Sequence, residues 1–121
     1  MRSWFAIAAL NGFLAVAAGA FAAHSLATML GAQAAGLFEV GARYQMYHAL
    51  AIGLAALVMR AEAQAEIAAW FFLAGIIFFS GSLYALAVSG LGAFAYITPF
   101  GGLSFLIGWA ALAWAALRPR T

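Results

Sequence analysis

The stretch FEVGARYQMYHALAIGLAALVMR, residues 38–60, decides how this chain is read. Its second half, from Leu50 to Met59, is almost wholly apolar, while its first half carries Glu39, Arg43, Tyr44, Gln45, Tyr47 and His48. Val40 to Met59 is about 20 residues, the length a helix needs to cross a hydrocarbon core about 30 Å thick. A membrane helix carries ionisable groups only at a cost, and they face protein or water rather than lipid. The stretch is therefore a span that needs neighbours.

The rest of the chain supplies them. Of 121 residues, 69% are hydrophobic and 7% charged, against about 45–50% and about 25% in soluble domains. So little polar surface makes the lipid bilayer the expected solvent and partner. Three more segments are long and apolar enough to span it: about Ser3 to Ala23, Ile67 to Ser89, and Thr98 to Leu117. The expected fold is all-α, an integral membrane four-helix bundle formed by residues 1–121 as a single domain, with spans at about 3–23, 40–59, 67–89 and 98–117. Thr98-Pro99 reads as an N-cap followed by a first-turn proline. Arg118-Pro119-Arg120 closes the last helix with charge and a helix breaker. Residues 24–38 form the longest link, read either as a short interfacial helix or as an outward extension of the second span.

A competing reading treats the first span as a signal peptide, because Arg2, an apolar run and "AGAFAAHS" imitate one. The run reaches about 20 residues, longer than the usual apolar region of about 7–15. It also carries a stripe of small residues, Ala8, Gly12, Ala15 and Gly19, of the kind that lets membrane helices approach closely. The last span offers a second stripe, Gly101, Ser104, Gly108, Ala111 and Ala115, and a compact left-handed bundle is expected. "GAFA" occurs at 19–22 and at 92–95, a coincidence in this composition.

Charge gives direction. Lysine is absent, and the net charge of +2 is carried by arginine. With four spans, Arg2, Arg60, Arg118 and Arg120 fall on one side and at most Arg43 on the other. The positive-inside rule then places the N- and C-termini in the cytoplasm. The arginines stand at segment ends and form no basic stripe, so no nucleic-acid partner is expected. The absence of cysteine excludes disulfides and thiolate chemistry.

Counting at about 1.5 Å per residue places His48 about 18 Å from the cytoplasmic end of its helix. Ser80 falls near the same level, Tyr84 near Arg43, and His24 near Glu39 at the outer surface. Polar side chains thus collect in the outer half, while the inner half holds Asn11 among apolar residues. We expect a polar outer-half pocket built by His24, Glu39, Arg43, Tyr44, Tyr47, His48, Ser80 and Tyr84. Glu39 and Arg43, four apart, read as an ion pair in an interior position. The tyrosines read equally as interfacial aromatics. A neutral His48 bonded to Ser80 or Tyr84 stands beside a working acid, base or ligand.

Other chemistry is excluded more firmly. His24 and His48 differ by about 17 Å in depth, too far to ligate one haem. A metal site wants three or four ligands at one level. No nucleophile with a base and acid in register can be assembled. No cofactor, metal or catalytic residue is expected, and the chain is read as not an enzyme.

The blocks "GAFAAHSL", "FEVGARYQMYHAL", "FSGSLYAL" and "ITPFGGLSFLIGW", in this order, resemble the YgdD-like small inner-membrane family of unknown function, which has eukaryotic transmembrane relatives. The resemblance implies a four-span, multi-pass protein of the inner (plasma) membrane and no particular activity. The family pattern reads "GAFGAH" where this chain has Ala22, which implies a slightly less intimate helix contact there. The leading functional expectation is a non-enzymatic membrane protein whose pocket suits a small ligand, a lipid headgroup or a partner helix. The alternative is a small transporter or channel subunit, a homo-oligomer, which needs a polar path through the inner half as well.

Overall fold

A computed structural model describes residues 1–119, and all regular structure in them is helical. Helix α1 runs Arg2–Leu30, α2 Ala32–Val58, α3 Ala65–Ser89 and α4 Thr98–Leu117, with a short 3-10 turn at Gly92–Tyr96. Arg120, counted above among the charges of one side, lies outside the described residues.

Residues 24–38 do not form a loop. Ala, Leu, Met and Gln dominate them, and these are strong helix formers. Helix α1 continues through a wide turn at Ala22–Leu26 to Leu30. The chain then reverses at Gly31 alone, whose φ of +93° a residue with a side chain rarely adopts. The second of the two readings of this link is therefore the nearer one, and the first helix extends outward as well.

Among the described residues, three helices are long and apolar enough to cross a membrane: Arg2–Leu30, Ala65–Ser89 and, counting the 3-10 turn with α4, Gly92–Leu117. Helix α2 is 27 residues long but is not among them. Glu39, Arg43, Gln45 and His48 dilute its apolar character. Its position explains why it carries Gln45 and His48, which are buried. Helix α1 packs chiefly on α2 and α4 chiefly on α3, while α2 touches α1, α3 and α4. Gly41, Ala42, Gln45, His48, Ala49, Ala51, Ile52, Ala55 and Ala56 of α2 are all buried. A helix so surrounded meets protein on most of its circumference and needs less lipid-soluble surface.

The small-residue seams pack as expected, with a difference between them. A Cβ at Gly12 would stand 4.0 Å from Met46 Sδ and one at Gly19 4.0 Å from Ala42, ordinary contacts across the α1–α2 seam. In α4 the approach is closer. A Cβ at Gly101 would meet the backbone of Phe78 and Phe79, one at Gly108 would meet the Phe72 ring, and Ser104 Oγ donates to Phe71 O at 2.7 Å. Glycine at 101 is thus required by backbone proximity and at 108 by the Phe72 ring, while the contacts at Gly12 and Gly19 of α1 require no glycine. Thr98 does not cap α4; it lies within the helix, and its hydroxyl shares a 2.6 Å bond with Ser82.

Toward the start of α1 and the α2–α3 link, Trp4, Ala51, Ile52, Ala55, Ala56, Ala68, Ala69 and Phe72 form a buried apolar core. Trp4 Nε1 donates to Glu66 at 3.1 Å and its ring meets Trp70 edge-on, so the start of α1 is fastened to the start of α3.

Candidate functional site

The side chains of residues 39–48 do not converge. At about 100° per residue Glu39, Arg43, Tyr44, Tyr47 and His48 fan over about half the circumference of α2, and its different neighbours receive them separately. Glu39 and Arg43 do pair, at 3.0 Å, but on the surface: their side chains are 61% and 51% exposed. The expected interior placement is therefore corrected. The pair sits in the N-terminal half of α2. Tyr44 and Tyr47 are also exposed and meet edge-on. His24 is exposed within the wide turn of α1.

His48 is buried between α2, α3 and α4, but its partners are neither Ser80 nor Tyr84. Trp109 Nε1 donates to His48 Nε2 at 3.1 Å, and His48 Nδ1 lies 2.8 Å from Tyr44 O. An indole N–H can only donate and a carbonyl can only accept. These two contacts fix the neutral tautomer, with the proton on Nδ1 and the lone pair on Nε2. Phe105 stacks on the ring at 3.5 Å and 7° between planes. With both nitrogens engaged and one face covered, this imidazole fastens α2 to α4 and has no free nitrogen for a ligand. Trp109 is absent from the expected set. Its signal was that a Trp N–H inside a span needs an acceptor, and His48 is the acceptor at hand.

Ser80 and Tyr84 turn to other atoms of α2. Ser80 Oγ donates to Gly41 O at 2.7 Å. The Tyr84 ring lies so near Gly41 that a Cβ there would stand 2.8 Å from Cε1. Glycine at 41 thus lets the tyrosine cross the face of α2 to Gln45, where its hydroxyl donates to Oε1 at 2.7 Å. Gln45 Nε2 donates to Asn11 Oδ1 at 3.0 Å, and Asn11 Nδ2 to Ile7 O at 2.9 Å. A continuous polar chain therefore runs Tyr84–Gln45–Asn11 and ties α3, α2 and α1 together. Asn11, assigned by depth to the apolar half, and Gln45, omitted from the expected pocket, are its centre. Two amides in adjacent spans have few other partners to choose, which is the signal that could have found them.

Above this chain α1 and α3 diverge and leave an open groove of about 660 Å³. Asn11, Gln45 and Tyr84 supply its polar groups, and Leu14, Phe21, Phe38, Ile76 and Ile77 are among its apolar walls. Of the eight residues expected to line a pocket, Tyr84 alone lines this one. Among the described residues, no group of three or more His, Asp or Glu stands close enough to hold a metal ion.

This arrangement can be set beside known proteins. The sequence profile of a family described as "Protein of unknown function (DUF423)" matches residues 18–102. A "UPF0382 membrane protein" of Haemophilus influenzae is 43% identical, with 99% of this chain and 98% of the relative aligned. The "UPF0382 inner membrane protein YgdD" of Escherichia coli is 46% identical, covering 97% of this chain and 91% of the relative. The chain belongs to this family. It is a multi-pass inner-membrane protein, as the relatives' names and its three membrane-length apolar helices agree. A more distant UPF0382 relative, from Staphylococcus epidermidis, keeps 39% identity over 98% of both chains. No solved structure matches.

Proposed function

We propose that this UPF0382 protein is a non-enzymatic binding protein of the membrane, and that its site is the groove between α1 and α3. In this reading all four helices span the bilayer as one domain and both termini are cytoplasmic. Helix α2 crosses despite its polarity because its neighbours shield it. The arginines at the other segment ends keep the cytoplasmic side basic, and this pattern offers no surface for nucleic acid. The observation that carries the proposal is the polar chain Tyr84–Gln45–Asn11 on the floor of an otherwise apolar groove. Its volume of about 660 Å³ falls inside the range of about 300–1,000 Å³ typical of small-molecule sites. An apolar enclosure with a few placed polar groups is what such sites share.

Transport through a single copy is disfavoured by the dry core around Trp4, Ile52 and Phe72, which leaves the inner half without a polar path. A path between copies of a homo-oligomer is the form in which a transporter or channel would survive.

The test compares the protein with an Ala17→Trp variant. Ala17 is an exposed residue on the groove wall, so an indole there fills the groove without entering the α1–α2 seam. Both proteins are purified from the membrane, extracted with organic solvent and analysed by mass spectrometry. A lipid-soluble compound should accompany the parent in near-stoichiometric amount and be depleted in the variant. Equal extracts from two equally folded proteins would overturn the proposal.

A further inference from the structure

The chemistry of the groove floor limits what can occupy it. The bonds described use one hydrogen of each amide nitrogen, at Asn11 and Gln45, and leave a second on each. They also use one lone pair each on Asn11 Oδ1 and Gln45 Oε1, and none on the Tyr84 oxygen. Asn11 is 7% exposed and Gln45 5% exposed, and both border the groove. Among the described residues lining it, donors and acceptors are both present and no formal charge is.

Depth adds a second restriction. Asn11 stands nine residues beyond Arg2, about 14 Å along α1. That is near the middle of a hydrocarbon core about 30 Å thick. A carboxylate, phosphate or ammonium placed there would lose its hydration with no counter-ion facing it. A carboxylate would also meet three oxygens on the floor. A hydroxyl meets no such conflict, since it donates once and accepts twice.

We propose, resting on the binding reading above, that the groove takes an uncharged single-chain amphiphile with a hydroxyl head. It arrives sideways from the bilayer. Its hydroxyl settles against the Gln45 and Asn11 amides, and its chain lies along Leu14, Phe21 and Ile77. The groove opens between two helices within the lipid-facing surface, so such a molecule never has to pass through water.

Photo-crosslinking in nanodiscs tests this. The probes are a long-chain alcohol carrying a mid-chain diazirine, and the fatty acid and fatty amine of the same length and label. The protein is used as the parent, as Ala17→Trp and as Gln45→Leu, each checked for a monodisperse, thermally cooperative state. Labelled residues are mapped by mass spectrometry. The alcohol should mark the groove walls at least tenfold more than either charged probe, compete with unlabelled alcohol, and lose that labelling in both variants. Should the acid or amine label the groove as well as the alcohol does, the hydroxyl assignment fails while the groove remains a binding site. Should every probe label the parent no more than Ala17→Trp, the binding reading itself fails. Where Gln45→Leu does not fold, Tyr84→Phe, which keeps the ring and removes the hydroxyl, takes its place; a smaller loss of alcohol labelling is expected, and unchanged labelling overturns the hydroxyl assignment.

Discussion

Replacing Gly101 with alanine probes a close backbone approach between α3 and α4. The added Cβ would stand 2.2 Å from Phe79 N and 2.7 Å from Phe78 C, both backbone atoms that no rotamer change can move. Relaxed contact distances are about 3.5 Å, so α4 must retreat from α3 by about 1 Å. Ser104 Oγ lies 2.7 Å from Phe71 O, and a retreat of that size takes the pair beyond about 3.5 Å, where no useful bond remains. Overpacking of this kind costs about 1–3 kcal/mol. The lost interhelical bond adds about 0.6 kcal/mol. Alanine returns up to about 1 kcal/mol through its better helix propensity. The net expectation is a loss of about 0.5–2.5 kcal/mol. Gly12→Ala is the control. Its Cβ would meet Met46 Sδ at 4.0 Å, so no retreat is needed and stability should rise by up to about 1 kcal/mol. Reversible unfolding in mixed micelles, titrated with denaturing detergent, reads both. The signs should be opposite. If Gly101→Ala is as stable as the parent, or the two variants shift alike, the α3–α4 contact is not the one described.

Trp109→Phe removes the N–H on His48 Nε2 and keeps a ring beside Phe72; it should cost about 0.6–1.7 kcal/mol. In a His48→Phe background the same change should cost almost nothing by the same micelle titration, and equal costs in both backgrounds would remove the bond from the account. Glu39→Gln breaks an exposed pair and should change stability by no more than about 1 kcal/mol; a loss above about 3 kcal/mol would mean that Arg43 is buried after all. The chain has no cysteine, so single replacements report topology cleanly. Glu62→Cys should be shielded in intact cells from a membrane-impermeant thiol reagent and Ser89→Cys labelled, and the reverse pattern would invert the orientation.

Trp4, Gly101 and Gln45 show how unevenly the sequence could be read. Helix content, the membrane as solvent and the packing seams follow from composition and local spacing, because those properties depend only on near neighbours along the chain. Gly101 and Ser104 declared a seam through their alternating spacing, and α4 does press that face on α3. What sequence alone could not supply is which element receives each face of α2. His48 and Tyr84 carried their donors and acceptors in plain view. Yet the direction in which a helix presents a side chain is set by rotation about its axis, and that is fixed by packing with helices far along the chain. Tertiary structure therefore turned His48 toward Trp109 rather than Ser80, drew Asn11 and Gln45 together across two helices, left Glu39 and Arg43 on the surface, and opened the groove where α1 and α3 part.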